Sequence, residues 1–219
     1  MPKNVKDLKE RLLDAVNEKD SDTVRLLLGA GADPAAHNEY DDSLLSLACS
    51  RGCPDIVRLL LDHGADVNDG NNEFEETPLH TACLHGHADI VKILLSRVNC
   101  EINAMNDRRR TPLHDACRRR HTNVARLLIG KGADVDARDE FGFSPLDHAF
   151  GLSGEGREVE ECPPQEIIHL FQEMVPEYTL DYVTKLPVDH PHREEIIDWY
   201  REHRPELVME KFCTNGPGI

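Results

Sequence analysis

The feature that most constrains this chain is an internal repeat of 33 or 34 residues. The segment TPLHTAC at residues 77–83 recurs as TPLHDAC at residues 111–117, and a related segment begins at Ser144. Another copy begins at Ser43, and a weaker one, LLDA, occupies residues 12–15. Each copy is followed by a second recurring segment; these segments begin at Asp22, Asp55, Asp89 and Asn123. Such self-similarity predicts stacked structural units rather than a single central core.

Each unit has the local signals of two short helices. Thr77 caps a helix and Pro78 suits its first turn, where a missing N–H costs nothing. Leu79, Ala82 and Cys83 form one apolar helical stripe. The second segment carries another stripe, made by Ile90, Val91, Leu94 and Leu95. Glycines suited to a left-handed helix stop follow at positions 31, 64 and 132.

With these motifs, the chain resembles the ankyrin repeat family over roughly residues 8–175. The resemblance implies an all-α solenoid of helix-turn-helix units with projecting hairpin loops. It also implies a non-enzymatic module that binds partners through its loop tips and first helices, which share the concave face. We expect five repeats, at about residues 8–37, 38–71, 72–105, 106–138 and 139–175.

The two ends depart from the repeat pattern. In repeat one, Arg11 replaces the proline and Lys19 replaces the mid-repeat glycine, which indicates a polar N-terminal cap. Repeat five is interrupted by ten extra residues within 151–164, which predicts a solvated loop before a second helix at 165–174. Residues 176–219 contain no further repeat, and we expect an acidic C-terminal capping or docking tail there.

Composition narrows the function classes. The net charge of −16 argues against a general binder of nucleic acid or anionic membranes. There is no apolar run of membrane-spanning length, no secretory signal and an odd number of cysteines, seven, so we expect an intracellular protein, cytoplasmic, nuclear or both. No P-loop, nucleophile elbow or zinc-protease motif is present, so we expect neither catalysis nor a cofactor.

Cysteine and histidine spacings raise the question of a metal site. Cys49 and Cys53 are spaced C-x3-C, and His114 and Cys117 are spaced H-x2-C. However, Cys49, Cys83 and Cys117 occupy the same repeat position, where a buried thiol acts as an apolar filler. Residues at one repeat position line up rather than converge on a tetrahedron, so we expect no metal site.

Positive charge is concentrated in repeat four. Between residues 108 and 131 there are eight basic residues and one acid, with arginine triplets at 108–110 and 118–120. Arg109 and Arg120 stand where the family usually has glycine. One interpretation is a solvated face that pairs with the acidic tail. The other is a binding site for an acidic or phosphorylated partner, with contacts from Arg108, Arg110, Arg118 and Arg119.

Four aromatic residues occupy loop-tip positions and are candidate binding anchors. They are Tyr40, Phe74, Phe141 and Phe143. The alternative is that these rings pack against neighbouring loops. By repeat position, the same surface would include Glu39, Asp42, Arg51, Glu73, Glu76, Leu84 and His85. The concave face would then be acidic in repeats two and three and basic in repeat four.

Two asparagines match a modification pattern of the family. Some ankyrin repeats are substrates of an asparaginyl hydroxylase, whose target follows Asp-Val and has a leucine eight residues earlier. Asn68 with Leu60, and Asn103 with Leu95, resemble this pattern. The alternative role for both asparagines is hydrogen bonding within a turn.

The leading hypothesis is therefore a monomeric protein-interaction module with an acidic partner. A second hypothesis is an adaptor whose tail recruits a ubiquitin ligase or other machinery to a client held by the repeats, although Leu186-Pro187 alone is too little to identify a ligase-binding box. A third is nucleic-acid binding through the arginines of repeat four, against which the acidic tail would compete.

Overall fold

The computed structural model describes residues 5–70, 72–150, 165–186 and 193–208. The chain divides into two compact units, Met1–Ile167 and Ile168–Ile219. Within the described residues the elements are helices, and only an isolated bridge between His37 and Ser43 has strand character. The predicted all-α class is confirmed.

The first unit is a stack of helix pairs. In chain order the pairs are α1 (Val5–Asn17) with α2 (Ser21–Gly29), α3 (Leu44–Arg51) with α4 (Pro54–Asp62), α5 (Pro78–Leu84) with α6 (Ala88–Leu95), and α7 (Pro112–Arg118) with α8 (Thr122–Gly130), followed by α9 (Pro145–Ala149). The first helices of successive pairs pack on one another, from α1 through α9. The second helices form a parallel layer, from α2 through α8. This is the predicted solenoid.

The core follows the apolar stripes of the sequence. One leucine of each first helix from α3 to α9 is at most 1% exposed: Leu45, Leu79, Leu113 and Leu146. The second helices contribute Ile56, Ile90 and Val124, which are also buried. Because each repeat buries its stripes against its neighbours, no single helix pair is stable by itself.

The mid-repeat glycines are required by the packing of the next repeat. Gly52 and Gly86 have φ values of 70° and 73°, which glycine adopts without steric cost. A Cβ on Gly52 would lie 2.7 Å from the ring of His87, and one on Gly86 would lie 2.6 Å from the ring of His121. Lys19 holds the same conformation, with φ 61°.

Lys19 is tolerated at a glycine position because the following repeat differs. Where repeats three and four have His87 and His121, repeat two has the much smaller Cys53. Burial raises the pKa of the Cys53 thiol, and the nearby charges of Lys19 and Arg51 oppose that rise. Among the described glycines, the close approach of an imidazole is thus specific to Gly52 and Gly86.

The second unit contains the end of α10 (Gln165–Met174), α11 (Pro176–Lys185) and α12 (Arg193–His203). α11 packs on α12, with Leu180, Val183, Ile196 and Ile197 buried. The Tyr200 hydroxyl donates a hydrogen bond to the carbonyl of Pro176 at 2.7 Å. The loop predicted at 151–164 lies outside the described residues, and the predicted boundary between repeats and tail stays a prediction. None of the described helices has the length and apolarity needed to cross a membrane.

Candidate functional site

The loop tips of repeats two to five share one recurring hydrogen-bond motif. Each loop begins with an Asx residue whose Oδ1 accepts the backbone N–H groups two and four residues ahead, at 2.8–3.2 Å. The four residues are Asn38, Asn72, Asn106 and Asp139. Because two bonds converge on one oxygen, each tip has a defined backbone shape.

The residue at the apex of each loop has a left-handed backbone. Its φ is 60° at Asp41, 53° at Glu75, 56° at Arg109 and 83° at Gly142. In an L-residue this conformation costs roughly 1–2 kcal/mol, so three of the four loops place a charged side chain where glycine is easier. For Arg109 this explains why the family usually has glycine there.

Two buried histidines fasten the loops to the helices. His114 Nδ1 accepts the N–H of Thr111 at 3.0 Å, so its Nε2 carries the proton and donates to the carbonyl of Phe143 at 3.1 Å. His80 makes the matching pair of bonds to Thr77 and to the carbonyl of Arg110. Each imidazole thus links the helix cap of its own repeat to the base of the next loop.

Burial keeps both histidines neutral. It lowers the pKa of His80, and it lowers that of His114 to about 4, against opposing hydrogen bonds to the Arg110 and Phe143 carbonyls. A protonated ring could no longer accept the N–H of its own cap. The neutral form is therefore part of the loop architecture.

Backbone hydrogen bonds also join neighbouring tips. The N–H of Asp107 donates to the carbonyl of Phe74, and the N–H of Glu140 donates to the carbonyl of Arg108, both at 3.0 Å. The loop tips of repeats three, four and five are therefore joined to one another by backbone hydrogen bonds.

Three of the four predicted aromatic anchors are exposed. The exposed fractions are 71% for Tyr40, 45% for Phe74 and 52% for Phe141. Phe143 departs from the prediction, because it is only partly exposed and its ring lies edge-on against His148, with centroids 6.3 Å apart. Phe143 therefore contacts α9 rather than a neighbouring loop, and its role as an anchor stays a prediction.

The prediction that Arg110 is an exposed contact is wrong. Its side chain is 3% exposed, and its Nε lies 3.8 Å from Oδ2 of Asp139 in the next repeat. The same carboxylate oxygen is 2.8 Å from Nε2 of His148. Burial alone would raise the pKa of Asp139, but the bonds from His148 and from the Phe143 and Phe141 backbones outweigh it, and the net pKa is lowered. Arg110 points inward because this buried carboxylate requires a cation.

Arg118 is also largely withdrawn from solvent. Its side chain is 19% exposed, and Nη2 lies 3.2 Å from Oδ1 of Asp115, which is buried on the same helix. Burial raises the pKa of Asp115, and the charge of Arg118 opposes that rise. The charge of Arg118 is therefore largely neutralised by Asp115 of the same repeat.

The accessible cations of repeat four are a different set from the predicted one. Arg109, Arg119 and Arg120 are exposed and form no ion pair within the described part of the chain. Arg108 is half-buried. We call these four residues the Arg cluster. Arg109 precedes α7 and Arg119 and Arg120 follow it, so the cluster brackets a helix about 10 Å long.

The remaining predicted positions differ in their exposure to solvent. Arg51 is exposed, and its Nη2 donates to Asn17 Oδ1 at 2.9 Å. His85 is exposed, bonds to the carbonyl of Thr81 at 2.9 Å and stacks on His87. Leu84, Asp42 and Glu76 are partly exposed, whereas Glu39 and Glu73 are exposed.

Comparison with family models agrees with this architecture. The model described as ankyrin repeats matches residues 12–106 as three copies, and a further ankyrin repeat matches residues 108–140. The chain belongs to the ankyrin repeat family. Ankyrin repeats are generally protein–protein interaction modules and are typically non-enzymatic. No curated protein matches the chain.

The two candidate hydroxylation sites lie in turns between ankyrin repeats. Asn68 donates through Nδ2 to the carbonyl of Asn99 at 2.7 Å and accepts the N–H of Glu101 at 2.9 Å. Asn103 accepts the N–H of Asp134 at 2.9 Å. Both side chains therefore bond to the turn of the next repeat rather than within their own turn, and their hydroxylation stays a prediction.

The cysteines of the ankyrin repeats have the character of apolar filler. Cys49, Cys83 and Cys117 are buried at one repeat position, and burial raises the pKa of each thiol. A thiol with a raised pKa is a poor nucleophile and metal ligand. Among the described residues, no group of three or more His, Cys, Asp or Glu side chains could hold a metal ion.

Proposed function

We propose that this ankyrin repeat protein binds an acidic or phosphorylated segment of another protein through the Arg cluster. The observation that carries the proposal is the exposure of three guanidinium groups, on Arg109, Arg119 and Arg120, without a carboxylate partner in the described part of the chain. In a protein of net charge −16, cations left unpaired at one place favour an anionic ligand brought from outside. Arginine forks suit carboxylate and phosphate groups.

The spacing of the cluster suggests the form of the ligand. The helix that separates Arg109 from Arg119 and Arg120, α7, is about 10 Å long. An extended peptide advances about 3.3–3.6 Å per residue. Two anionic residues three positions apart would therefore reach both ends of the helix.

Phe141 gives the segment a neighbouring apolar contact. Its ring is 52% exposed, and its loop is joined to the repeat-four loop by the bond from Glu140 N–H to the carbonyl of Arg108. An aromatic ring on a fixed backbone loses little entropy on binding. We expect a partner residue of apolar character to contact Phe141 beside the anionic pair.

A direct binding measurement tests the proposal. The probe is a fluorescein-labelled peptide with two phosphoserines three residues apart, titrated by anisotropy at physiological salt. Replacing Arg109, Arg119 and Arg120 by Glu should weaken binding at least tenfold. The matched control replaces the exposed cations Arg25, Arg58 and Lys92 of the second helices by Glu, and it should change affinity less than twofold.

Two results would oppose the proposal. Equal loss in both variants would mean that the peptide senses only the net charge. A generic single-stranded oligonucleotide that binds as tightly as the peptide, with steep salt dependence, would favour nucleic-acid binding instead.

A further inference from the structure

A second surface, of opposite charge, lies on the loop tips of repeats two and three. It consists of two triplets in which an aromatic ring stands between two acids: Glu39, Tyr40 and Asp41, then Glu73, Phe74 and Glu75. We call these six residues the acidic ridge. We propose that the acidic ridge binds lysine or arginine side chains of an extended segment in a partner protein.

All six side chains are exposed. The rings of Tyr40 and Phe74 are 71% and 45% exposed, although aromatic rings of this size are usually turned toward a core. None of the four carboxylates forms an ion pair within the described part of the chain. The ridge therefore presents two rings and four negative charges that no described residue neutralises.

The ridge is also held in one conformation. The N–H of Tyr40 donates to Asn38 Oδ1 at 2.8 Å, and the N–H of Phe74 donates to Asn72 Oδ1 at 3.2 Å. Nδ2 of Asn72 reaches Oδ1 of Asp42, which links the two loops at 3.3 Å. The rings are thus presented on fixed backbones, so binding orders little of the protein.

A further carboxylate, that of Glu76, follows the second triplet of the ridge directly in sequence. Glu76 closes the repeat-three loop, and burial together with the charge of Asp115 raises its pKa. Asp115 is 1% exposed, and its Oδ2 has no hydrogen-bond donor among the described residues. A buried carboxylate oxygen without a donor is unfavourable, although the charges of Arg118, Arg110 and His148 oppose the rise in the pKa of Asp115.

These features select a cationic side chain. An ammonium or guanidinium group can lie on the face of an aromatic ring while it contacts a neighbouring carboxylate. The four acids disfavour a purely apolar segment, and they repel phosphate and nucleic acid. Lysine and arginine combine the required charge with an apolar stem that can cover the ring.

The acidic ridge and the Arg cluster together imply a bipolar partner. They are contiguous, because the N–H of Asp107 donates to the carbonyl of Phe74 at 3.0 Å. A single segment could place basic residues over repeats two and three and anionic residues over repeat four. The inference about the ridge does not depend on the proposed function of the cluster, since the ligands have opposite charge.

The test must separate a site from general attraction, because any polycation is drawn to a protein of charge −16. The probe is a fluorescein-labelled peptide of four arginines alternating with glycine, titrated by anisotropy at physiological salt. Replacing both Tyr40 and Phe74 by Ala leaves the net charge unchanged, and we expect binding to weaken at least fivefold. Retained far-UV ellipticity confirms that the variant is folded.

Two double variants that each remove two negative charges complete the test. Glu73→Gln with Glu75→Gln should also weaken binding at least fivefold, whereas Asp55→Asn with Asp89→Asn, on the second helices, should weaken it less than twofold. Equal effects of the two charge pairs, or no effect of removing the rings, would overturn the inference. The triple Glu variant of the Arg cluster should bind this basic peptide at least as tightly as wild type, so failure at one site is distinguishable from failure at the other.

Discussion

We predict that acidification weakens the contact between repeats four and five, and that the His114 ring is responsible. Its ring is fully buried and bridges the cap at Thr111 to the carbonyl of Phe143. Burial lowers its pKa from 6.5 to about 4; the bond to the Phe143 carbonyl and the charge of Asp139 oppose this, while His148 and Arg110 contribute to it. Below the pKa of an exposed histidine, the unfolded chain therefore binds a proton that the folded chain does not.

The sign and size of the effect follow from proton linkage. Because the unfolded state binds more protons, the free energy of unfolding falls as pH drops through about 6.5, and this fall levels off below about pH 4. Between pH 7 and pH 5, a pKa lowered to about 4 corresponds to a loss of about 2 kcal/mol from His114 alone. That is a large share of the stability of an ordinary domain.

Urea denaturation followed by far-UV circular dichroism at pH 7, 6 and 5 measures the loss. The comparison variant is His114→Gln, because glutamine at this position of a capping box can accept the cap N–H and has no charged form. Histidines that do not contact His114 titrate in both proteins and cancel in the difference. The wild type should lose about 2 kcal/mol more than the variant between pH 7 and pH 5.

A different result would refute the reasoning about this ring. If wild type and His114→Gln lost the same stability on acidification, His114 would be protonating within the folded state near its ordinary pKa. The neutral bridge between cap and loop would then not be the form that the fold requires.

Two further predictions concern single positions. Gly86→Ala should destabilise the protein by about 2 kcal/mol or more, since the new Cβ would lie 2.6 Å from the His121 ring at a φ of 73°. Arg120→Gly, at a position with φ 62°, should instead stabilise it by about 0.5–1 kcal/mol. A melting temperature lower for Arg120→Gly than for Gly86→Ala would contradict this. Asp139→Asn keeps an acceptor for the loop N–H groups but removes the carboxylate that faces Arg110. It should cost about 2–3 kcal/mol in urea denaturation, and a neutral outcome would show that Arg110 is neutralised elsewhere.

The sequence by itself determined the helix pairs and their stacking. The cap signal at Thr77 and Pro78 is local, so it predicts a helix start without knowledge of the fold. The apolar stripes recur in register, so each repeat could be expected to bury its stripes against identical neighbours. Replacement of the usual glycine by Arg109 or Arg120 was also readable, because the requirement for a left-handed backbone belongs to the repeat position.

The tertiary structure alone decided which side chains of each run are available for binding. Arg108, Arg109 and Arg110 are adjacent in sequence, yet Arg110 is buried because Asp139, 29 positions away in the next repeat, supplies the carboxylate that it neutralises. Phe143 is turned against His148 on α9 of its own repeat. Local pattern sets backbone conformation, whereas the direction and charge pairing of a loop side chain depend on which side chains the folded repeats place beside it.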